Sequence, residues 1–216
     1  MSKSPAGCSR LVLASSFFVA YAFSAPAVTA QTVINEYPHP APMQVTQTPH
    51  GFTARNDREV LTVTVCSDSV VHVVARTADA PETASPRPWM LDASEACPGA
   101  SSQFAQTAGA ATLTTSNLEV SLSDQHSNLV FKTPQGEMLL HERPNLPRTY
   151  FKTNTAGLYQ IEDRFGPDAT EGFYGLGQHQ SGMFNYRGSV VELDQNNTDV
   201  AIPLLVSSKG YAILWN

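Results

Sequence analysis

The sequence predicts an all-β protein, an antiparallel β-sandwich, on three observations. Short apolar runs with a period of two residues recur along the chain, which is the pattern of half-buried strands. Fifteen prolines and thirteen glycines are spread over the 216 residues, many of them at positions that suit turns. No stretch shows a convincing amphipathic helical period. Many short strands without a helix indicate a sandwich or a barrel.

The first thirty residues resemble a secretory signal rather than part of the fold. Lys3 and Arg10 supply positive charge, residues 11–23 are almost entirely apolar, and small residues lead to Ala30. This layout predicts a signal peptide over residues 1–30, cleaved after Ala30, and therefore an exported chain, periplasmic or secreted. A membrane anchor is the alternative, although the apolar run is short for a membrane span. After cleavage we expect no stable span.

The remaining chain divides into a leader and one domain. Residues 31–49 are rich in Pro, Thr and Gln and have room for one edge strand, and residues 50–216 are predicted to form the sandwich. The first clear strand alternates Leu61, Val63 and Val65 with threonines. Strands are predicted in order at residues 59–66, 70–74, 118–122, 128–132, 138–142, 150–153, 158–161, 173–176, 190–193, 202–206 and 211–215.

Turns and loops separate these strands. Ser-Asp-Ser at 67–69 and Thr-Pro-Gln-Gly at 133–136 are turn sequences, and the second suits a type I turn in a hairpin. A glycine-containing turn separates the strands at 150–153 and 158–161. Residues 78–102 contain four prolines, so we expect a long loop there with a short helical turn at 93–96.

Cleavage would leave two of the three cysteines. Cys66 and Cys97 remain after Cys8 departs with the signal, and an oxidising compartment would allow a disulfide between them. Two buried free thiols are the alternative. Two cysteines alone do not make a structural zinc site, and no metal or cofactor site is predicted.

The end of the chain suggests a longer polypeptide. Residues 211–215 are apolar and only Asn216 follows them, whereas termini are usually polar and fray at the surface. We therefore expect the sandwich to be incomplete at its C-terminus. The alternative is that the last strand simply closes the sandwich.

Composition and motifs exclude several function classes. The net charge is −6 at pH 7, so the chain lacks the basic surface of a nucleic-acid binder. No nucleophile elbow, zinc-protease helix or phosphate-binding loop is present, and Gly175-Leu176-Gly177 lacks the rest of a dinucleotide motif. Glu162 and Asp163 are neighbours on a predicted strand, so they point to opposite faces and cannot act as paired glycosidase carboxylates.

Residues 171–197 concentrate glycine, aromatic, amide and acidic side chains, the types that stack on and hydrogen-bond to sugars. This part of the chain closely resembles the N-terminal domain of glycoside hydrolase family 31, the α-glucosidases and α-xylosidases. The motifs that carry the resemblance are FYGLGQ at 173–178, YRG at 186–188, LDQNN at 193–197, IPLLVSSKGY at 202–211 and WN at 215–216. GQHQ followed by NYRG looks more like the bacterial α-xylosidase branch.

The resemblance implies a galactose-mutarotase-like supersandwich that precedes a (β/α)8 barrel. It also implies a retaining mechanism, with an Asp nucleophile and an Asp acid/base on the barrel. Both positions would lie after Asn216, so this chain contains no catalytic residue and should not hydrolyse substrate alone. The expected partners are an α-linked oligosaccharide or xyloside and the barrel of the same polypeptide.

The resemblance also suggests which residues approach the sugar. The pocket loop of the family matches Asp194, Gln195, Asn196 and Asn197, and Asp194 is the best acceptor for a sugar hydroxyl. Further family-motif residues near the pocket are Tyr174, Gln178, His179 and Arg187. The alternative for the loop is a turn stabilised by its own Asx hydrogen bonds.

Three other functions stay open at this point. The domain could be a stand-alone carbohydrate-binding module without catalysis, or a structural sandwich of an exported protein without any ligand. An aldose mutarotase would need an acid/base pair within the sandwich, and His179 with Glu171 or Glu192 is the available pair.

Overall fold

The computed structural model describes residues 41–80 and 97–215, which form fourteen strands and no helix. The all-β prediction is therefore confirmed for this part of the chain. The predicted signal peptide and the predicted helical turn at 93–96 lie outside the described residues. The strands are β1 (Gln44–Thr48), β2 (Gly51–Arg55), β3 (Glu59–Ser67), β4 (Val70–Thr77), β5 (Gln103–Thr107), β6 (Ala110–Thr114), β7 (Glu119–Ser123), β8 (Leu129–Lys132), β9 (Met138–His141), β10 (Arg148–Lys152), β11 (Tyr159–Asp163), β12 (Phe173–Gln178), β13 (Val200–Ser207) and β14 (Ala212–Leu214).

Two antiparallel sheets form the sandwich. The first has the strand order β1-β2-β3-β4, and the second has the order β5-β6-β7-β8-β9, so each is a meander. The alternation along β3 buries Leu61, Val63 and Val65 against the second sheet. Leu113 and Leu122 of the second sheet are equally buried and belong to the same core cluster. The predicted sandwich is confirmed by this shared core.

Two smaller sheets complete the described structure. The hairpin β10–β11 pairs Tyr150 with Ile161, as the predicted turn between these strands requires. The last sheet has the order β12-β13-β14. Its ladder is interrupted between Gly175 and Gly177, where both glycines have positive φ. A Cβ at Gly177 would lie 1.9 Å from the carbonyl oxygen of Val200. The position therefore requires glycine, which allows the close approach of β12 to β13 at this bulge.

Several sequence predictions need correction. The predicted strand at 190–193 is absent, and Val190 is 92% exposed in a loop. Strands β2, β5 and β6 were not predicted, because small and polar residues weaken their apolar alternation. The edge strand for which residues 31–49 have room is β1, which pairs with β2 at the edge of the first sheet. Met43 also packs in the core, so the first sheet begins before residue 50.

A buried ionic cluster fastens β10 to one end of the sandwich. The Arg148 guanidinium donates two parallel hydrogen bonds of 3.0 Å to Glu59, and it also pairs with Glu142. The Tyr150 hydroxyl donates at 2.8 Å to Glu59 Oε2, the oxygen that also accepts from Arg148 Nε. Burial alone would lower the pKa of Arg148, but the hydrogen bonds and charges of Glu59 and Glu142 outweigh it and raise that pKa. Arg148 therefore stays charged and holds the hairpin in place.

A disulfide joins Cys66, near the end of β3, to Cys97, which lies 31 residues further along the chain. Both residues are half-buried, so neither sulfur is freely exposed to solvent. The bond closes a loop that contains β4 and the segment after it. A loop of this length is expected to stabilise the fold by about 3 kcal/mol through the unfolded state.

We predict that Cys66 and Cys97 are both protected from alkylation. Denatured protein without reductant should label neither Cys66 nor Cys97, and two labels should appear after reduction, as measured by intact mass. The increase on reduction is the internal control for access to the alkylating agent. Two labels before reduction would reject the bridge.

No helix among the described residues has the length and apolar character needed to span a membrane.

Candidate functional site

The loop between β12 and β13 contains the residues that the sequence matched to a sugar pocket. Asp194, Asn196 and Asn197 are exposed in it. Within the described part of the chain, the only hydrogen bond of the Asp194 carboxylate comes from Asn196 Nδ2 at 3.3 Å. The carboxylate therefore keeps acceptor capacity for a ligand hydroxyl.

The same loop is held in shape mainly by Gln195 and Asp199. The Gln195 side chain donates to the Asp199 carbonyl at 2.8 Å and accepts from the Ala201 N–H at 3.2 Å. Asp199 Oδ1 accepts from the Gln180 N–H at 3.2 Å, which ties the two ends of the loop together. Gln195 thus has a structural role, whereas the bond from Asn196 to Asp194 is a weak contributor.

Aromatic side chains lie on and beside this loop. The rings of Tyr174 and Phe184 are 5.1 Å apart, and Phe184 is 83% exposed. The His179 ring meets Tyr186 edge-on at 6.1 Å, and His179 Nε2 lies 2.8 Å from the Leu176 carbonyl oxygen. Exposed ring faces are suited to stacking on sugar rings. Tyr174 with Phe184 therefore forms the aromatic surface of the site.

Two other motif residues occupy different positions. Arg187 Nη1 donates to the carbonyls of Asp168 and Glu171, both at 2.7 Å, so its guanidinium fastens the chain that leads into β12. Gln178 is exposed at the end of β12, opposite Val200 in the ladder. Arg187 is thus engaged by main-chain carbonyls, whereas Gln178 remains accessible at the start of the loop.

Glu171 forms a buried anchor that the sequence did not identify as such. The residue is 2% exposed, and its carboxylate accepts hydrogen bonds from Ser207, from the Tyr211 hydroxyl at 2.5 Å and from the Asp168 N–H at 3.0 Å. Burial would raise the pKa of Glu171, but these hydrogen bonds outweigh it and lower that pKa. The carboxylate therefore stays ionised and links the start of β12 to β13 and β14.

This burial argues against an aldose mutarotase within the sandwich. The Glu171 carboxylate is enclosed by its own donors, and the His179 imidazole bonds to a main-chain carbonyl. Glu192 is exposed in the loop. A proton-transfer pair must reach one substrate from both sides, and Glu171 has no surface open to a sugar.

A second concave surface lies between the β10–β11 hairpin and the sandwich. This groove has a volume of about 310 Å³. Its polar lining consists mainly of Asp57, Arg58, Asp79, Tyr150, Lys152 and Tyr159. In the described residues, no group of three or more His, Cys, Asp or Glu side chains is placed to hold a metal ion.

Curated relatives of this chain include two α-xylosidases. It is 33% identical over 112 residues to an α-xylosidase of Saccharolobus solfataricus, a match that covers 45% of this chain and 15% of that protein. It is 34% identical over 70 residues to α-xylosidase A of Aspergillus niger, covering 32% of this chain and 10% of the relative. The chain therefore spans well under a fifth of the length of these relatives.

Solved structures with the same fold include two family 31 α-xylosidases. A family 31 α-xylosidase from a soil metagenome, complexed with xylose, has a TM-score of 0.69 at 21% identity, over 80% of this chain and 28% of that one. A family 31 α-xylosidase of Xanthomonas citri has a TM-score of 0.61 at 27% identity, over 81% of this chain and 18% of that one. The family model described as the glycosyl hydrolase 31 N-terminal galactose mutarotase-like domain matches residues 60–216. With the sandwich, the glycine-rich bulge of β12 and the loop that follows it, this match shows that the chain belongs to glycoside hydrolase family 31 and contains its N-terminal domain.

Proposed function

We propose that this chain is the N-terminal domain of an exported retaining α-glycosidase that hydrolyses α-xylosides or α-glucosides. In this proposal the catalytic carboxylates lie on a barrel that follows residue 216, and the loop between β12 and β13 lines the sugar pocket. Membership of family 31 and the names of the α-xylosidase relatives support the reaction class. The signal-like sequence of residues 1–30 supports export.

The observation that carries the barrel proposal is an apolar stripe on the last sheet. Alternate residues of β13, which share one face of the strand, remain 36–47% exposed: Val200, Ile202, Leu204 and Val206. Leu214 of the neighbouring strand β14 is 42% exposed. A row of large apolar side chains on one sheet face marks an interaction surface. We infer that the barrel covers this stripe, since β14 is the last strand before the barrel is expected.

Purified residues 31–216 should release no chromophore from an aryl α-xyloside or an aryl α-glucoside. The physical reason is that a retaining glycosidase needs two carboxyl groups about 5–5.5 Å apart across the scissile bond, and the proposal places both on the barrel. The control is the full-length polypeptide, prepared in the same host and assayed on the same substrates. Turnover that scales with the concentration of the short polypeptide would overturn the proposal that both catalytic carboxyl groups lie on the barrel.

The same short polypeptide should be poorly soluble, because the stripe on β13 would face water. Sedimentation velocity measures the self-association that we expect from the exposed stripe. A monodisperse monomer with a cooperative melting transition would instead favour the alternative, a stand-alone carbohydrate-binding module. The exposed ring of Phe184, packed on the half-buried Tyr174, is the observation that favours that alternative. Retardation of residues 31–216 in a native gel that contains a soluble α-glucan would then identify it.

A further inference from the structure

The ionic cluster at the base of the β10–β11 hairpin contains more negative than positive charge. Glu59 and Glu142 both bind Arg148, and Asp163 is the cross-strand neighbour of Arg148 in the hairpin. With every group ionised, three carboxylates would surround one guanidinium, and the cluster would carry a charge of −2. Excess buried charge is costly and is usually relieved by binding a proton.

The hydrogen bonds show which carboxylate is poorly accommodated. The Glu142 carboxylate accepts hydrogen bonds from Arg148 and, at 2.6 Å, from the Leu129 N–H. The Glu59 carboxylate accepts hydrogen bonds from Arg148 and Tyr150. Asp163 Oδ1 is buried and has no hydrogen-bond partner in the described part of the chain. An ionised Oδ1 in this position would be desolvated without a hydrogen-bond donor of its own, a cost that a protonated carboxyl group avoids.

Groups from several elements face the cluster. They are Glu59 of β3, Glu142 after β9, Arg148 and Tyr150 of β10, and the main-chain N–H of Arg164 after β11. Two histidines lie close by but bond elsewhere. His141 Nδ1 is 3.2 Å from the Glu142 carbonyl oxygen, and His126 Nδ1 is 2.9 Å from Asn145 Oδ1.

We propose that Asp163 binds a proton in this cluster and that the cluster acts as a pH-sensitive clasp, which closes the β10–β11 hairpin against the sandwich when the proton is bound. The hairpin contributes Tyr150, Lys152 and Tyr159 to the wall of the groove described above, whereas Asp57 and Asp79 come from the sandwich. Loss of the proton loosens the hairpin and opens this groove.

The direction of the pH dependence follows from the two states. Burial, followed by the charge of Glu142, raises the pKa of Asp163 to about 7 despite the opposing charge of Arg148. Burial likewise raises the pKa of Glu142. An aspartate in an open hairpin ionises near pH 4. Between about pH 4 and pH 7 the closed form binds more protons, so its stability falls as the pH rises and levels off above pH 7.

Hydrogen exchange of the full chain tests the clasp. After correction for intrinsic exchange rates, protection of the hairpin amides should fall between pH 5 and pH 7.5 by one to two orders of magnitude, because each pH unit within the window changes the opening equilibrium up to tenfold. Asp163→Asn mimics the protonated carboxyl group, so its protection should change less than about threefold over the same range.

The matched control is Glu162→Gln, one residue away, where the carboxylate forms an exposed ion pair with Arg164 at 2.9 Å. This variant should keep the pH dependence of the wild type. A flat wild-type profile would overturn the proposal, and so would an Asp163→Asn profile that is as steep as the wild type. If Asp163→Asn does not fold, the wild-type and Glu162→Gln profiles decide alone. None of these outcomes depends on glycosidase activity.

Discussion

Replacing Arg148 with methionine is expected to lower the free energy of unfolding by about 3–5 kcal/mol, the usual cost of removing one partner from a buried ionic pair. The guanidinium is the only cation that the structure shows bonded to Glu59 and Glu142 within the described residues. Methionine fills similar volume, so most of the loss would report uncompensated carboxylates rather than a cavity. Urea unfolding of the full-length protein measures the change.

The loss of unfolding free energy in Arg148→Met should grow as the pH rises. Burial raises the pKa of Glu142, so without Arg148 this carboxylate can lose its unfavourable charge by binding a proton, which is easier at pH 5 than at pH 8. The control is again Glu162→Gln, because an exposed ion pair contributes at most about 1 kcal/mol. If Arg148→Met and Glu162→Gln destabilise the protein equally, the cluster does not fasten the hairpin.

The sandwich could be predicted because its core strands alternate cleanly. In β3, Leu61, Val63 and Val65 lie on one face and threonines on the other, so the period of two is visible in the sequence. Strands β5 and β6 lack this pattern because alanine, glutamine and threonine replace large apolar residues. Tertiary pairing with β7 overrides their weak local preference.

The opposite error occurs at residues 190–193. Valine and leucine there favour a strand locally, but hydrogen bonds of Gln195 and Asp199 close the chain into a loop instead. The cluster around Arg148 was not predictable, because Glu59 lies 89 residues away along the chain and Glu142 lies six residues away. No local spacing rule links such partners, whereas the residues assigned to the sugar loop are contiguous and form one motif in the sequence.

Asp194→Asn is expected to lower kcat/KM of the full-length enzyme by about one to two orders of magnitude. A carboxylate that accepts a hydrogen bond from a sugar hydroxyl forms a charge-assisted bond of roughly 1.5–3 kcal/mol, and 1.36 kcal/mol corresponds to tenfold in rate. Asparagine keeps the shape and removes the charge, so the loss should report this bond. Initial rates on an aryl α-xyloside and an aryl α-glucoside measure it.

The melting temperature of Asp194→Asn should stay close to that of the wild type, because the carboxylate is exposed and receives only the 3.3 Å bond from Asn196. Glu119→Gln, at the start of β7 in the second sheet, is the control and should leave kcat/KM unchanged. Wild-type kcat/KM in Asp194→Asn on the preferred substrate would reject the pocket assignment. A large drop in melting temperature with intact kinetics would assign Asp194 to the turn instead, because the asparagine amide cannot replace an ionised acceptor within the loop.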